Sequence, residues 1–184
     1  MANSGYGGNK FLDPEKILFQ AGLGKGQVMA DLGAGSGYYV LAAGKMVGGK
    51  GTVYAVDLLE SALEHIGAEA RLRLIRNVRT IRADLDNPVA CGSIPAGTCD
   101  MVLMGNVVHE AKNRKNLFIE AYRLLKTGGH LLILEWNDQR SPIGPAPEVR
   151  VSPQEVTALA EGNSLKFLKR LDADQYHYCL LFSK

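Results

Sequence analysis

Gly33, Gly35 and Gly37 stand at alternate positions in the run Asp31-Leu32-Gly33-Ala34-Gly35-Ser36-Gly37, and no other stretch constrains the fold as much. Val28, Met29 and Ala30 precede the run, a short apolar segment of the kind a strand buried on both faces shows. Residues 38–47 follow it and read as a helix. A strand that enters a helix through bare glycines brings main chain close to whatever lies above the turn, because no Cβ intervenes. Such turns belong to open α/β sheets, which hold ligands beyond the carboxyl ends of their strands, where strand order reverses.

The rest of the chain continues the alternation. Asp13 and Pro14 supply a capping carboxylate and a proline at the first helical position. That helix directs Ile17, Leu18, Ala21 and Leu23 to the core until Gly22 and Gly24 stop it. Residues 52–56 form a second strand ending at Asp57, and 61–74 a helix with Ala62, Ile66, Ala70 and Leu74 on one side. A third strand over 78–83 ends at Asp84, and a fourth over 101–104 is closed by Gly105 and Asn106. An amphipathic helix over 116–125 is stopped by Thr127-Gly128-Gly129, before a fifth strand over 130–136. The proline-rich stretch 137–150 reads as an ordered loop, a semi-rigid lid in one reading. Ser152, Pro153 and Glu155 then begin a helix. Residues 166–171 and 176–182 flank a turn and pair as a closing hairpin. The pattern predicts an α/β fold: a sheet of about seven strands, mainly parallel, with a C-terminal β-hairpin and helices on both faces. Residues 1–12 read as a flexible lead-in and 13–184 as a single domain.

Composition narrows the function classes. A chain of 184 residues, 46% hydrophobic and 22% charged, has the makeup of a folded domain with a sizeable core. Its net charge is only +2, and the basic cluster Arg71, Arg73, Arg76, Arg79 and Arg82 is expected to be a solvated face, so no nucleic-acid partner is expected. Cys91, Cys99 and Cys179 show no C-x-x-C spacing, which argues against a disulfide framework and for a reducing compartment. No signal-peptide pattern opens the sequence and no apolar run approaches the ~20 residues that span a bilayer. A soluble, cytoplasmic protein without a membrane partner is therefore expected. No histidine pair has a metal-ligand spacing, so no metal is expected either.

The polar residues at the strand ends carry the chemistry. Asp57 lies twenty residues beyond Gly37, where a carboxylate accepts hydrogen bonds from both ribose hydroxyls of an adenosine-containing cofactor, the alternative being a plain helix cap. With Asp84 and Asn106 it lines one rim with the glycine turn. The glycine spacing is G-x-G-x-G rather than the dinucleotide G-x-G-x-x-G. Asp31, two positions before the first glycine, would repel a pyrophosphate. It suits a ligand carrying an ammonium and a sulfonium, which favours S-adenosylmethionine (SAM) over NAD.

These segments resemble the class I SAM-dependent methyltransferases, a seven-stranded Rossmann-like family with a doubly wound sheet. VMADLGAGSGYYV is similar to the family's glycine-rich first motif, VYAVDLL to its acidic ribose motif and TIRADL to the segment beside the adenine. DMVLMGNVVHE resembles the fourth-strand motif and YRLLKTGGHLLILEW the segment into the fifth strand. The similarity runs from the Asp13-Pro14 helix to the final hairpin and is strongest to the small-molecule branch, with its ubiquinone/menaquinone and arsenite methyltransferases. The resemblance implies that Asp31 and the Gly33, Ala34, Gly35 and Gly37 turn hold the methionine part of SAM. It implies that Asp57 takes the ribose hydroxyls, Leu58 packs on the adenine, Asp84 with the backbone of Leu85 reads the adenine edge, and Asn106 closes the pocket near the methyl. The product would be S-adenosylhomocysteine (SAH). The cysteines that arsenite methyltransferases depend on have no match here.

His109 and Glu110 follow the fourth strand, and His109 is the candidate base or orienter, a group needed only for an acceptor that arrives protonated. The competing reading makes both supporting or capping groups. Trp136, Arg150, His177 and Tyr178 form a second tier of acceptor-facing candidates. Trp136 would wall the site, Arg150 would bind an anionic group, and each has packing or loop anchoring as its alternative. Asn106-Val107-Val108-His109 stands where an Asn-Pro-Pro-Tyr type sequence would mark methylation of a nucleobase amine. The expected activity is methyl transfer to a small-molecule acceptor. RNA or protein methylation, a non-catalytic SAM-binding module and an NAD-dependent oxidoreductase are the alternatives. The sequence leaves open the acceptor and its attacked atom, the need for a base, the oligomeric state and the pathway.

Overall fold

The computed structural model describes residues 12–184, so the greater part of the expected lead-in, 1–11, lies outside the described residues. The elements follow in the order α1 (Pro14–Gln20), β1 (Val28–Leu32), α2 (Tyr38–Val47), β2 (Thr52–Asp57), α3 (Glu60–Leu72), β3 (Val78–Arg82), β4 (Cys99–Gly105), α4 (Arg114–Leu124), β5 (Leu125–Trp136), α5 (Pro153–Gly162), β6 (Lys166–Leu171) and β7 (His177–Ser183). Seven strands form one sheet in the order β3-β2-β1-β4-β5-β7-β6. All pairings from β3 to β5 are parallel, while β7 runs antiparallel to both β5 and β6. The chain steps outward from β1 to β3 and then returns to β4 beside β1. The reversal leaves a crevice above the carboxyl ends of β1 and β4.

Period-two alternation sorts the strand residues between two cores. Met29, Val53, Leu103, Leu132 and Leu181 pack with Ile17, Tyr39, Val40 and Ile66 from α1, α2 and α3. Ala30, Val102, Ile133, Tyr178 and Phe182 pack on the other face with Leu117, Phe118, Val156 and Ala160 from α4 and α5. Each large side chain buried this way, such as Phe118, contributes about 1.5–3 kcal/mol relative to exposure. Among the described residues no helix is long and apolar enough to cross a membrane. All three cysteines are buried and unpaired.

The helix starts form as their sequences suggest: Asp13 accepts from the Lys16 amide, and Ser152 from the Glu155 amide. Several boundaries differ, three of them for reasons the structure makes plain. The helix expected over 61–74 ends at Leu72, and Leu74 is 77% exposed rather than on the buried side, where Leu63 stands instead. The cause is a Schellman-type stop: Leu74 adopts φ +57°, the Ile75 amide donates to the Ala70 carbonyl at 2.8 Å, and Ile75 turns in to the core. The expected stop at Thr127-Gly128-Gly129 lies inside β5, since α4 ends at Leu124 and the strand begins at Leu125. There the Gly128 amide donates to the Lys184 carbonyl and the Lys184 amide to the Gly129 carbonyl, so the glycines receive the chain terminus instead of ending a helix. The fourth strand is also longer than 101–104, because Cys99 pairs with Leu125 ahead of the main register.

Candidate functional site

The glycine turn is fixed from two sides. The amides of Gly33 and Ala34 both donate to the Val56 carbonyl at 2.9 Å, which ties the turn to β2. Gly33 holds φ +80°, and a Cβ there would lie 2.5 Å from Cγ2 of Val107, so only glycine allows the segment after β4 to close over it. Gly35 also has positive φ, but nothing lies within 4 Å of its missing Cβ, so its main chain faces open crevice. Gly37, at φ +79°, is the N-cap of α2.

Asp31 lies on the Met29 face of β1 and is 2% exposed. Its carboxyl is pushed up to about 8, first by burial and then by the charge of Asp57. No hydrogen bond to it is formed among the described residues. A buried carboxylate without a partner is costly in an empty site and well placed for a cation.

Beyond β2, Asp57 uses one oxygen to accept the Gly35 amide at 2.8 Å and the other to accept the Leu59 amide at 2.9 Å. The carboxylate is thereby oriented while lone pairs remain for further donors. Leu58 beside it is 53% exposed, an apolar side chain at the rim. Asp84 accepts the Asp86 amide, and with Leu85, Gly33, Asp57, Leu58 and Val107 it lines a cleft of about 140 Å³. The structure thus brings the turn, Asp57, Leu58, Asp84 and Leu85 together.

Asn106 stands on the other side of Val107. It adopts φ +56°, strained for a non-glycine residue, and its amide is fixed on the Leu134 carbonyl at 2.8 Å. Its Nδ2 lies 3.4 Å from Nε2 of His177, and its Oδ1 is buried without a partner. His177 Nδ1 sits 2.7 Å from Oδ1 of Asp174. The Tyr39 hydroxyl also lacks a partner, and burial above all, with the neighbouring Cys179 and Asp31 adding to it, pushes its ionisation up. The buried Asp31 carboxyl and the unpaired Tyr39 Oη and Asn106 Oδ1 therefore gather at the switch point.

The remaining candidates divide. His109 turns inward: Nδ1 lies 2.9 Å from Oε2 of Glu135, whose other oxygen accepts the amides of Val108 and His109. The hydrogen bond to Glu135 holds the His109 imidazole above its ordinary range against its desolvation. Glu110 lines the cleft beside Val107. Trp136 stacks on His177 with ring centroids 4.1 Å apart. Arg150 donates to the carbonyls of Pro145, Asn137 and Gln139, which fastens the proline-rich loop, and packs over Trp136. Tyr178 points into the α4–α5 core and donates to the Val151 carbonyl at 2.7 Å. Asp31 and Asn106 are brought together with His177, whereas Tyr178 and Arg150 are spent on packing and loop anchoring.

Sequence reasoning passed over Glu135, Asp174 and Tyr39. A lone acid closing the apolar run Leu131-Leu132-Ile133-Leu134 was the available sign for Glu135. Asp174 and Tyr39 gave none, since a turn aspartate and a helix tyrosine are ordinary residues until their partners are known.

The methyltransferase domain family model matches residues 30–133, from β1 through most of β5. A SAM-dependent methyltransferase from Aquifex aeolicus has a similar structure, with a TM-score of 0.85, 27% identity, and coverage of 94% of this chain and 89% of that one. An arsenic(III) S-adenosylmethionine methyltransferase from Chlamydomonas reinhardtii shares the fold at a TM-score of 0.69 and 23% identity, over 86% of this chain and 63% of that one. Among curated relatives, a ubiquinone/menaquinone biosynthesis C-methyltransferase UbiE from Marinomonas sp. is 25% identical over 174 residues, 94% of this chain and 65% of its own length. Its counterpart from Hydrogenovibrio crunogenus is 30% identical over 123 residues, 67% of this chain and 47% of its own length. The chain spans roughly half to two thirds of the length of these curated relatives. With its sheet order, glycine turn and strand-end carboxylates, the chain belongs to the methyltransferase domain family, in the class I fold.

Proposed function

We propose that this protein binds S-adenosylmethionine across the β1–β4 switch point and transfers its methyl group to a small-molecule acceptor. The observation that carries the reading is the buried, unpartnered Asp31 carboxyl next to an open glycine turn, with the orphaned Asn106 Oδ1 nearby. An adenosyl compound with an ammonium and a sulfonium satisfies each of these groups, and a pyrophosphate satisfies none. In this reading Asp57 accepts the ribose hydroxyls, Leu58 covers the adenine, and Asp84 with the Leu85 backbone takes its edge. Asp31 and Asn106 receive the amino-acid end.

The bound compound supplies an already activated methyl group. The protein's share is to hold the acceptor in line at near-attack distance and to keep water out. His109, fastened to Glu135, positions the segment after β4 in this reading, and Glu110 borders the cleft.

Calorimetric titration with SAM, SAH and NAD tests the proposal. Micromolar binding of SAM and SAH, none of NAD, and at least tenfold weaker SAM binding in Asp57→Ala are expected. Tighter binding of NAD, or no SAM binding by the folded protein, rejects it.

A further inference from the structure

A cavity of about 840 Å³ opens between α1 and the turn joining β6 to β7. Small-molecule sites commonly occupy ~300–1,000 Å³, so the space suits an acceptor of one or two rings. Leu12, Ile17, Leu171 and Ala173 give it apolar walls, while Lys16 and Arg170 stand opposite Asp172 and Asp174. Asp13, at the mouth, is spent on capping α1. His177 is the imidazole on this wall.

The hydrogen-bond pattern prepares His177 for proton transfer. Nδ1 donates to Asp174 Oδ1 at 2.7 Å, which leaves the lone pair on Nε2. Nε2 meets only the Asn106 amide, at a long 3.4 Å. Trp136 stacks on the ring, and only 5% of the side chain is exposed, so its orientation is fixed. A cavity-lining histidine whose Nδ1 is held by a carboxylate, leaving Nε2 as the acceptor, is an arrangement suited to general-base catalysis. His109 has the same pairing with Glu135, but it lines neither this cavity nor the nucleoside cleft. His177, which lines this cavity, is the contact through which Asn106 and its buried, unpaired Oδ1 adjoin it.

We propose that His177, oriented by Asp174, is the base that accepts the proton of a hydroxyl-bearing methyl acceptor, a phenol or enol, seated in the cavity between α1 and the β6–β7 turn. The inference rests on the function proposed above. Nε2 takes the hydroxyl proton and leaves both electrons of the O–H bond on the acceptor oxygen. That oxygen bonds to the methyl carbon as the carbon–sulfur bond breaks with its electron pair staying on sulfur. The imidazolium then returns its proton to water.

The test uses the full chain with catechol and 4-hydroxybenzoate as probes. The second asks whether Lys16 and Arg170 also hold an acid. SAH is expected to bind wild type, His177→Gln and Asp174→Asn comparably. Either probe, added to the SAH complex, is expected to shift the ¹⁵N resonances of the His177 ring, and with SAM to be methylated. His177→Gln should lower kcat about 10²–10⁴-fold at neutral pH. Its rate should climb roughly tenfold per pH unit toward the phenol's own ionisation, as solvent replaces the missing base. Asp174→Asn should show a smaller loss with the same pH rescue. SAH binding without any probe response overturns the inference alone, as does an unchanged kcat and pH profile in His177→Gln, or the same loss in His109→Gln. Absence of SAH binding in wild type overturns the function proposal beneath it.

Discussion

If Asp31 receives the ammonium of SAM as proposed, its burial gives cofactor binding a pH dependence. The carboxyl titrates at about 8 in the free protein, because ionising it there means charging an unpaired group next to Asp57. If SAM binds to the carboxylate form, the protein must first lose that proton. With a value near 8 only roughly 10% of the sites are ionised at pH 7 and roughly 1% at pH 6. The apparent Kd should therefore fall about tenfold between pH 6 and pH 7 and about fivefold between pH 7 and pH 8, and close to one proton should be released per SAM bound at pH 7. Above pH ~8 the ligand's α-amino group loses its own charge, so affinity should peak there and decline. The sign for stability is opposite. A carboxyl whose folded value exceeds its unfolded one costs the empty protein nothing below the unfolded value near 4, and a penalty that grows until pH passes 8. Asp31→Asn should therefore raise the melting temperature of the empty protein at pH 8–9, flatten the pH dependence and weaken SAM binding at pH 8. Titration calorimetry in two buffers of different ionisation enthalpy measures both the affinity and the proton count. A Kd constant from pH 6 to pH 8 with no proton released would refute the argument.

Two further perturbations test the frame of the site. Gly33→Ala forces a Cβ to within 2.5 Å of Val107 at φ +80°, so about 1–2 kcal/mol of backbone strain is expected, plus displacement of Val107. Thermal melts should show a drop of several degrees and SAH titration at least tenfold weaker binding, and no change in either contradicts the role given to the turn. Glu135→Gln removes the carboxylate whose hydrogen bond raises the His109 imidazole and should cost about 1–3 kcal/mol. Because the His109 value is raised in the fold, this stabilisation is complete below the unfolded value near 6.5 and disappears as pH rises through the folded one. The melting gap between wild type and variant should thus be larger at pH 6 than at pH 9, and an equal gap would show that the ion pair contributes nothing.

What the sequence disclosed depended on how local its physical cause is. The helix starts at Asp13 and Ser152 need only residues within one turn, and both form. The cleft that Asp57 and Asp84 line follows from strand ends that apolar runs mark directly. Leu74 was misplaced because its left-handed conformation is imposed by Ile75 seeking the core, in a position where no glycine announces a stop. Gly128 failed in the opposite sense: two glycines after a helix read as its end, yet their partner is the last residue of the chain. His109 illustrates a subtler limit. Its place after β4 is legible, but its inward turn depends on Glu135, which lies on a neighbouring strand.

The placing of His177 depends on the direction of a single strand. Had β7 run parallel to β5, its first residue would lie at the sheet edge remote from the crevice, and Ser183 would reach the rim. Because β7 enters antiparallel between β5 and β6, its first residue pairs with Trp136, the last of β5, at the carboxyl-end rim. Alternation then puts His177 and Cys179 on the α1–α2 side with Asp31 and Tyr39, and sends Tyr178 into the opposite core. Adjacent residues that look equivalent in sequence are thereby assigned opposite work. One lines a cavity, while the other closes a hydrogen bond to Val151. The same reversal carries the β6–β7 turn over α1 and supplies Asp174 to its own histidine. The antiparallel hairpin is therefore what sets His177 and Asp174 in the wall of the cavity beside α1, where the proposal seats an acceptor.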